Sequence, residues 1–241
     1  IEYLSYSRPL KTILLTSATM QEGKSTTISN LSIAFAQQGK KVLLLECNLR
    51  RPSLRRVFGI ENRTGTSDIL IQKAKWRDCV NTVTDLALGG FAMEELLAVP
   101  GLDNLNIITY GNRPPNPTEL LSSDRMTELL AELREYYDLV VVDAPPLLPV
   151  ADSMVLSTKV DGVVLVYMVG KAPRNSLRLA KERLETVKAN VLGLALNDIR
   201  PETTGLTYSS YYMYAYGKDM DKGKKKARGK RTPAKVVPKV L

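Results

Sequence analysis

The stretch Ile13-Leu14-Leu15-Thr16-Ser17-Ala18-Thr19-Met20-Gln21-Glu22-Gly23-Lys24-Ser25-Thr26 reads as a strand, a turn and a helix start. It meets the pattern G-x-x-x-x-G-K-[ST] except at its first glycine, where Ala18 stands. Backbone N–H groups of such a loop point inward at a polyphosphate, and the following helix N-terminus adds partial positive charge. In that geometry Thr19, Met20, Gln21, Glu22, Gly23, Lys24, Ser25 and Thr26 form the cradle. Lys24 reaches the β/γ-phosphates and Ser25 can hold Mg²⁺. A Gly-Lys-Ser triplet also arises by chance in surface loops; the apolar strand before this one favours nucleotide binding.

Outward from the loop, apolar β-branched runs recur at intervals suited to βαβ units, at 12–16, 41–45, 105–109, 139–142, 162–169 and 191–197. Helical patterns lie between them at 24–38, 93–99, 117–136, 152–157 and 174–188. Continuous apolar strands such as Leu139-Val140-Val141-Val142 suit a parallel sheet covered on both faces. The expected fold is a three-layer α/β/α sandwich with a mostly parallel central sheet, of the P-loop NTPase type. Residues 61–101 are less regular and are expected to pack on one sheet edge. Ligands in such sheets sit beyond the carboxyl ends of the strands.

Two strand ends there carry acidic groups. One run ends Leu45-Glu46-Cys47-Asn48-Leu49-Arg50-Arg51-Pro52, the other Val142-Asp143-Ala144-Pro145-Pro146. A carboxylate ending a buried apolar strand costs several kcal/mol in desolvation unless a cation offsets it. Mg²⁺ bridging phosphates is the obvious cation, so Asp143 reads as its ligand, direct or through water. The alternative for a strand-end carboxylate is to cap the next helix.

The chain lacks histidine, which excludes Ser-His-Asp and Cys-His chemistry and His-ligated metals. Cys47 and Cys79 make no metal spacing and no disulfide framework, which suits a reducing environment. No apolar run approaches the length of a membrane span. Of the net charge of +9, residues 217–241 supply +8, so the body is nearly neutral. This Lys-, Gly- and Pro-containing tail is expected to be disordered. It either stays solvated or is drawn to an anionic membrane surface; no specific nucleic acid is expected. The expected partition is 1–206 as the ATPase body, 207–216 as a tyrosine-rich segment and 217–241 as the tail.

The chain resembles the bacterial tyrosine kinases of capsule and exopolysaccharide synthesis, which are built on a MinD/ParA-like P-loop ATPase fold. The resemblance spans roughly residues 12–216. It rests on the loop, on Leu49-Arg50-Arg51-Pro52, on Asn116-Pro117-Thr118-Glu119-Leu120-Leu121-Ser122-Ser123 and on Val142-Asp143-Ala144-Pro145-Pro146. Ala151-Asp152, Asp161-Gly162-Val163 and a tyrosine cluster of Tyr208, Tyr211, Tyr212, Tyr214 and Tyr216 complete it. It implies an ATP- and Mg²⁺-dependent autokinase on the cytoplasmic face of the bacterial inner or plasma membrane, regulating polysaccharide chain length or export. The implied partners are a membrane chain-length-determinant protein, fused upstream or separate, and further copies of the chain in a ring. The start at Ile1 weakly favours the fused form. In such kinases the tyrosine cluster is phosphorylated in trans and its phosphorylation loosens the ring. The resemblance assigns Lys24, Glu46, Asn48 and Asp143 to catalysis, a second-strand carboxylate being the proton acceptor. It places Ser25, Asn48 and Asp143 at Mg²⁺ and Asn197 at the adenine edge.

Three departures stand out. The family's second strand usually presents D-x-D, where this chain has Glu46-Cys47-Asn48. That opens the alternative of a catalytically weak, nucleotide-gated scaffold. Residues 1–9 lack the family's E-x-x-R-x-x-R assembly helix. Thr19 occupies the position where MinD/ParA-type positioning ATPases carry a signature lysine, which disfavours that third reading.

Overall fold

A computed structural model describes residues 10–88 and 99–199 of the chain. Its centre is a six-stranded sheet of β1 (Thr12–Ser17), β2 (Val42–Glu46), β3 (Leu105–Ile108), β4 (Leu139–Asp143), β5 (Gly162–Met168) and β6 (Val191–Asn197). All neighbours pair in parallel, in the order β3-β2-β4-β1-β5-β6. The expected α/β/α sandwich is therefore the observed fold, with a wholly parallel sheet among the described strands.

The apolar runs become strands because both sheet faces are covered. Along β1, Leu14 joins one core while Ile13 and Leu15 join the other; along β2, Leu43 and Leu45 oppose Val42 and Leu44. One face is roofed by α1 (Lys24–Gln37) through Ile28, Phe35 and Ala36. The opposite face is roofed by α6 (Asp124–Tyr136), α7 (Asp152–Ser157) and α8 (Arg174–Thr186), which contribute Leu129, Leu133, Leu156, Ala180 and Leu184. Shorter helices are α2 (Leu54–Val57), α3 (Thr66–Leu70), α4 (Val83–Leu88) and α5 (Pro117–Ser122).

One expected helix is two. The pattern over 117–136 breaks at Ser123, whose ψ of 157° is extended. The Ser122 and Ser123 hydroxyls donate to the carbonyls of Glu119 and Leu120, at 2.8 and 2.7 Å, a local competition that ends α5. Pro117 starts α5 at a position that needs no N–H. Of the irregular segment, described residues on the 61–88 side meet the β3 edge: Asn81 forms an antiparallel bridge to Ile107, and the Thr66 amide donates to the Thr109 carbonyl. The helix expected over 93–99 falls, except for Val99, outside the described residues, as do the tyrosine cluster and the basic tail.

Asp161, from the Asp161-Gly162-Val163 motif, fastens the sheet. It accepts from the amides of Lys11 and Thr12, the Thr12 hydroxyl and Arg134. The chain separates into a unit Ile1–Asn197 and a second, Asp198–Leu241; only Asp198 and Ile199 of the second are described. No helix among the described residues is long and apolar enough to cross a membrane.

Leu14 is fully buried in β1, at the middle of the sheet. Leu14→Ala should cost about 2–5 kcal/mol, read as a lower urea midpoint at unchanged slope. A loss under about 1 kcal/mol would contradict this packing.

Candidate active site

The phosphate loop joins β1 to α1 and is held from three sides. Gly23 has φ +84°, which favours glycine, and a Cβ there would also displace the Asn197 side-chain amide, whose Nδ2 would lie 1.8 Å away. Asn197, at the end of β6, donates from Nδ2 to the Glu22 carbonyl at 3.1 Å. Glu22 is fully buried. Its Oε1 accepts from the Thr19 amide at 2.5 Å and hydroxyl at 2.9 Å, and its Oε2 from the Met168 amide at 3.3 Å. Glu22 and Asn197 thus shape the loop and tie it to the ends of β5 and β6. Lys171 Nζ donates to the Gln21 carbonyl at 2.8 Å. Met20 and Thr26 are exposed at the loop's outer rim.

Lys24 is buried and donates to Ser17 Oγ at 3.1 Å, and Ser17 Oγ donates to the Thr19 carbonyl at 2.5 Å. Burial pushes the Lys24 ammonium pKa down, while the carboxylates of Asp143 and Glu22 pull it up. Ser25 Oγ accepts from Ser53 Oγ at 2.7 Å, bringing α1 beside the start of α2.

Glu46 and Asp143 are register partners at the ends of adjacent strands, both fully buried. Their environments differ. Glu46 Oε1 accepts from the amides of Ser53 (2.6 Å) and Leu54 (2.8 Å), and Oε2 accepts from the amide of Tyr110 (3.0 Å). Burial raises its pKa against those three amides and Arg55. Glu46 therefore caps α2 and clasps the exit of β3; the helix-capping part that a strand-end carboxylate can play falls to it. Asp143 has no hydrogen-bond partner for either carboxylate oxygen among the described residues. Its pKa is pushed up to about 8, by burial first and by Glu46 second, with Lys24 opposing. An orphaned buried carboxylate beside a phosphate loop fits a divalent cation, which favours hard oxygen ligands. Ser25 and Asp143 are the residues suited to hold Mg²⁺. Asn48 Oδ1 accepts from the Arg51 amide at 3.2 Å and keeps one lone pair for a further partner.

Sequence reasoning did not foresee one assembly. Arg50 forms a two-pronged pair with the fully buried Asp152, Nε to Oδ2 at 2.8 Å and Nη2 to Oδ1 at 3.1 Å. Thr118 Oγ1 donates to the same Oδ1 at 2.5 Å. Three motif fragments thus meet at one point and fix the turn that follows β2. Their presence as separate motifs was the only signal, and it carried no pairing.

A phosphate loop after the central strand of a parallel sheet, with an uncommitted aspartate one strand away, defines a P-loop nucleotide-binding domain. The AAA domain family matches residues 11–190. YwqD of Bacillus subtilis, a tyrosine-protein kinase, is 41% identical over 197 residues, which is 82% of this chain and 76% of that protein. CapB of Staphylococcus aureus, a putative tyrosine-protein kinase, is 31% identical over 219 residues, 91% of this chain and 86% of that protein. The kinase domain of Escherichia coli tyrosine kinase Etk superposes with a TM-score of 0.71 at 31% identity, covering 82% of this chain and 72% of that one. The chain belongs to the bacterial tyrosine-protein kinase family. MinD of Pyrococcus horikoshii, solved as a complex with Mg-ADP, superposes at a TM-score of 0.61 with 22% identity over 80% of this chain and 74% of that one, a likeness of fold alone.

Two outcomes follow from the paired carboxylates. The folded chain holds a proton on Asp143 between the ordinary carboxylate range and about pH 8, so its contribution to stability falls as pH rises through that window. Without nucleotide, Asp143→Asn should therefore melt higher than the parent at alkaline pH, with the gap closing toward acid, while losing Mg²⁺-nucleotide affinity. A variant less stable at every pH would mean that the carboxylate has a donor partner. Glu46→Ala strands three backbone amides and should cost about 1–3 kcal/mol in chemical unfolding; an unchanged midpoint would remove the capping role.

Proposed function

We propose that the chain binds ATP with Mg²⁺ and transfers the γ-phosphate to tyrosines, first among them Tyr208, Tyr211, Tyr212, Tyr214 and Tyr216 of a neighbouring copy. The observation that carries the reading is the Asp143 carboxylate, buried without a donor beside the phosphate loop. Family membership supports the reaction class, and the Mg-ADP bound by MinD supports nucleotide and Mg²⁺ use on this fold.

Phosphoryl transfer needs positioning and charge neutralisation more than covalent chemistry from the protein. Lys24 and the loop amides hold the phosphates, and Ser25 and Asp143 hold Mg²⁺, which supplies neutralisation of the developing charge. Glu46 is committed to three amides, so its part is to position α2 and the strand ends rather than to take a proton. Asn48 can accept a hydrogen bond from the incoming tyrosine hydroxyl but not its proton, so the proton would pass to an oxygen of the transferred phosphoryl group as the O–P bond forms and ADP leaves, a slower route than one with a carboxylate base. Polysaccharide chain length or export is the process regulated, at the cytoplasmic face of the membrane, with a membrane activator as partner and a ring of copies as the assembly. Attraction of the basic tail to an anionic surface would add to that anchoring.

Incubation with Mg-ATP and phosphosite mapping should place label within 207–216. Lys24→Ala should lower the rate at least about a hundredfold, because the phosphate-holding charge is lost. Asn48→Asp should raise it by supplying a proton acceptor. Absence of label from 207–216 in assembled protein would sink the proposal.

A further inference from the structure

Ser53 stands at the N-cap position of α2, yet its hydroxyl makes no capping bond to that helix. A serine at such a position ordinarily accepts from an amide of the first turn. Here the helix start is held from outside by Glu46, whose Oε1 accepts from the amides of Ser53 and Leu54 at 2.6 and 2.8 Å. The Ser53 hydroxyl instead reaches across to α1, where its Oγ lies 2.7 Å from Ser25 Oγ. Both serines are half-buried, and this is the one hydrogen bond of the Ser25 side chain among the described residues.

A serine hydroxyl carries one proton and two lone pairs. When Ser25 Oγ gives a lone pair to a cation, its proton needs an acceptor, and the bond to that acceptor fixes the ligand's orientation. Ser53 Oγ can serve, because rotating its own O–H turns it from donor to acceptor. Its placement is firm. The Ser53 amide is anchored on the fully buried Glu46, and the turn before it is locked by the Arg50–Asp152 pair. A ligand oriented in advance loses less freedom when the cation binds. A bond that served only to join α1 to α2 would act alike with and without a cation, and that difference is measurable.

We propose that Ser53 is a positioning residue of the cation site: its hydroxyl orients Ser25 Oγ for Mg²⁺ and accepts the Ser25 proton once that oxygen is coordinated. This rests on the reading of Ser25 and Asp143 as the Mg²⁺ residues of a nucleotide site. It also gives Glu46 a part in that site without contact to the cation, since Glu46 holds the Ser53 amide and so places the hydroxyl.

The test measures ADP affinity of the full chain by calorimetry, once in excess Mg²⁺ and once in EDTA, and takes the ratio of the two. The parent should bind more tightly with Mg²⁺, and Ser25→Ala should remove most of that gain. Ser53→Ala should lower the ratio severalfold, up to about tenfold, through loss in the Mg²⁺ arm alone. Ser53→Thr keeps the hydroxyl and should hold the ratio near the parent's. On a Ser25→Ala background, Ser53→Ala should not lower the ratio further, because no ligand is left to orient. An equal fall in both arms would reduce the bond to a brace between α1 and α2 and overturn the proposal. So would a Ser53→Thr ratio as low as that of Ser53→Ala, or a full effect of Ser53→Ala without Ser25. If Ser25→Ala lowers the ratio and Ser53→Ala does not, the Ser53 role falls and the Mg²⁺-nucleotide reading stands. A parent that gains no affinity from Mg²⁺ would remove both.

Discussion

Two carboxylates buried side by side at the ends of β2 and β4 set the central electrostatic problem of this molecule. Burial raises the pKa of both, and the charge on Glu46 raises that of Asp143 further. The chain resolves the pair asymmetrically. Glu46 commits its lone pairs to three backbone amides, while Asp143 keeps both oxygens open among the described residues. One charge becomes a structural clasp, and the other stays without a donor among the described residues, as the proposed cation site requires.

The rest of the site follows from that division. With Glu46 fixing the start of α2, Ser53 reaches Ser25, and the second-strand turn is set against the phosphate loop. Arg50, Thr118 and Asp152 lock the outer side of the same turn. On the loop's other flank, Glu22 and Asn197 fasten it to β5 and β6. The longer side chain at position 46 is what makes the clasp. It reaches two helix amides with one oxygen and a third amide with the other. A substitution that reads in sequence as a weakened catalytic pair is, in space, a brace with a chemical consequence two residues further on, at Asn48.

Much of the fold was legible because periodicity and burial coincide here. Runs such as Leu139–Val142 are buried on both faces, so they can only be inner strands, and the expected strands begin within about a residue of the observed ones. The break at Ser123 was not legible from the apolar pattern, since that pattern continues through it. The break coincides with Ser122 and Ser123, whose hydroxyls bond the Glu119 and Leu120 carbonyls. The family resemblance assigns Asn197, at the end of β6, to the adenine edge; its bond to the Glu22 carbonyl is a contact between distant segments that the sequence did not signal.

The sequence by itself determined the α/β/α sandwich, the phosphate loop and the strand-end acids, because these depend on local pattern and on which residues tolerate burial. Tertiary structure decided which acid is a brace and which is available, since a carboxylate's role depends on donors contributed by distant segments: Ser53, Leu54 and Tyr110 for Glu46, and none among the described residues for Asp143. It also decided that Ser25 and Ser53, 28 residues apart, share a hydrogen bond. Spacing in sequence cannot convey that, because the two meet only when β1 and β2 flank β4.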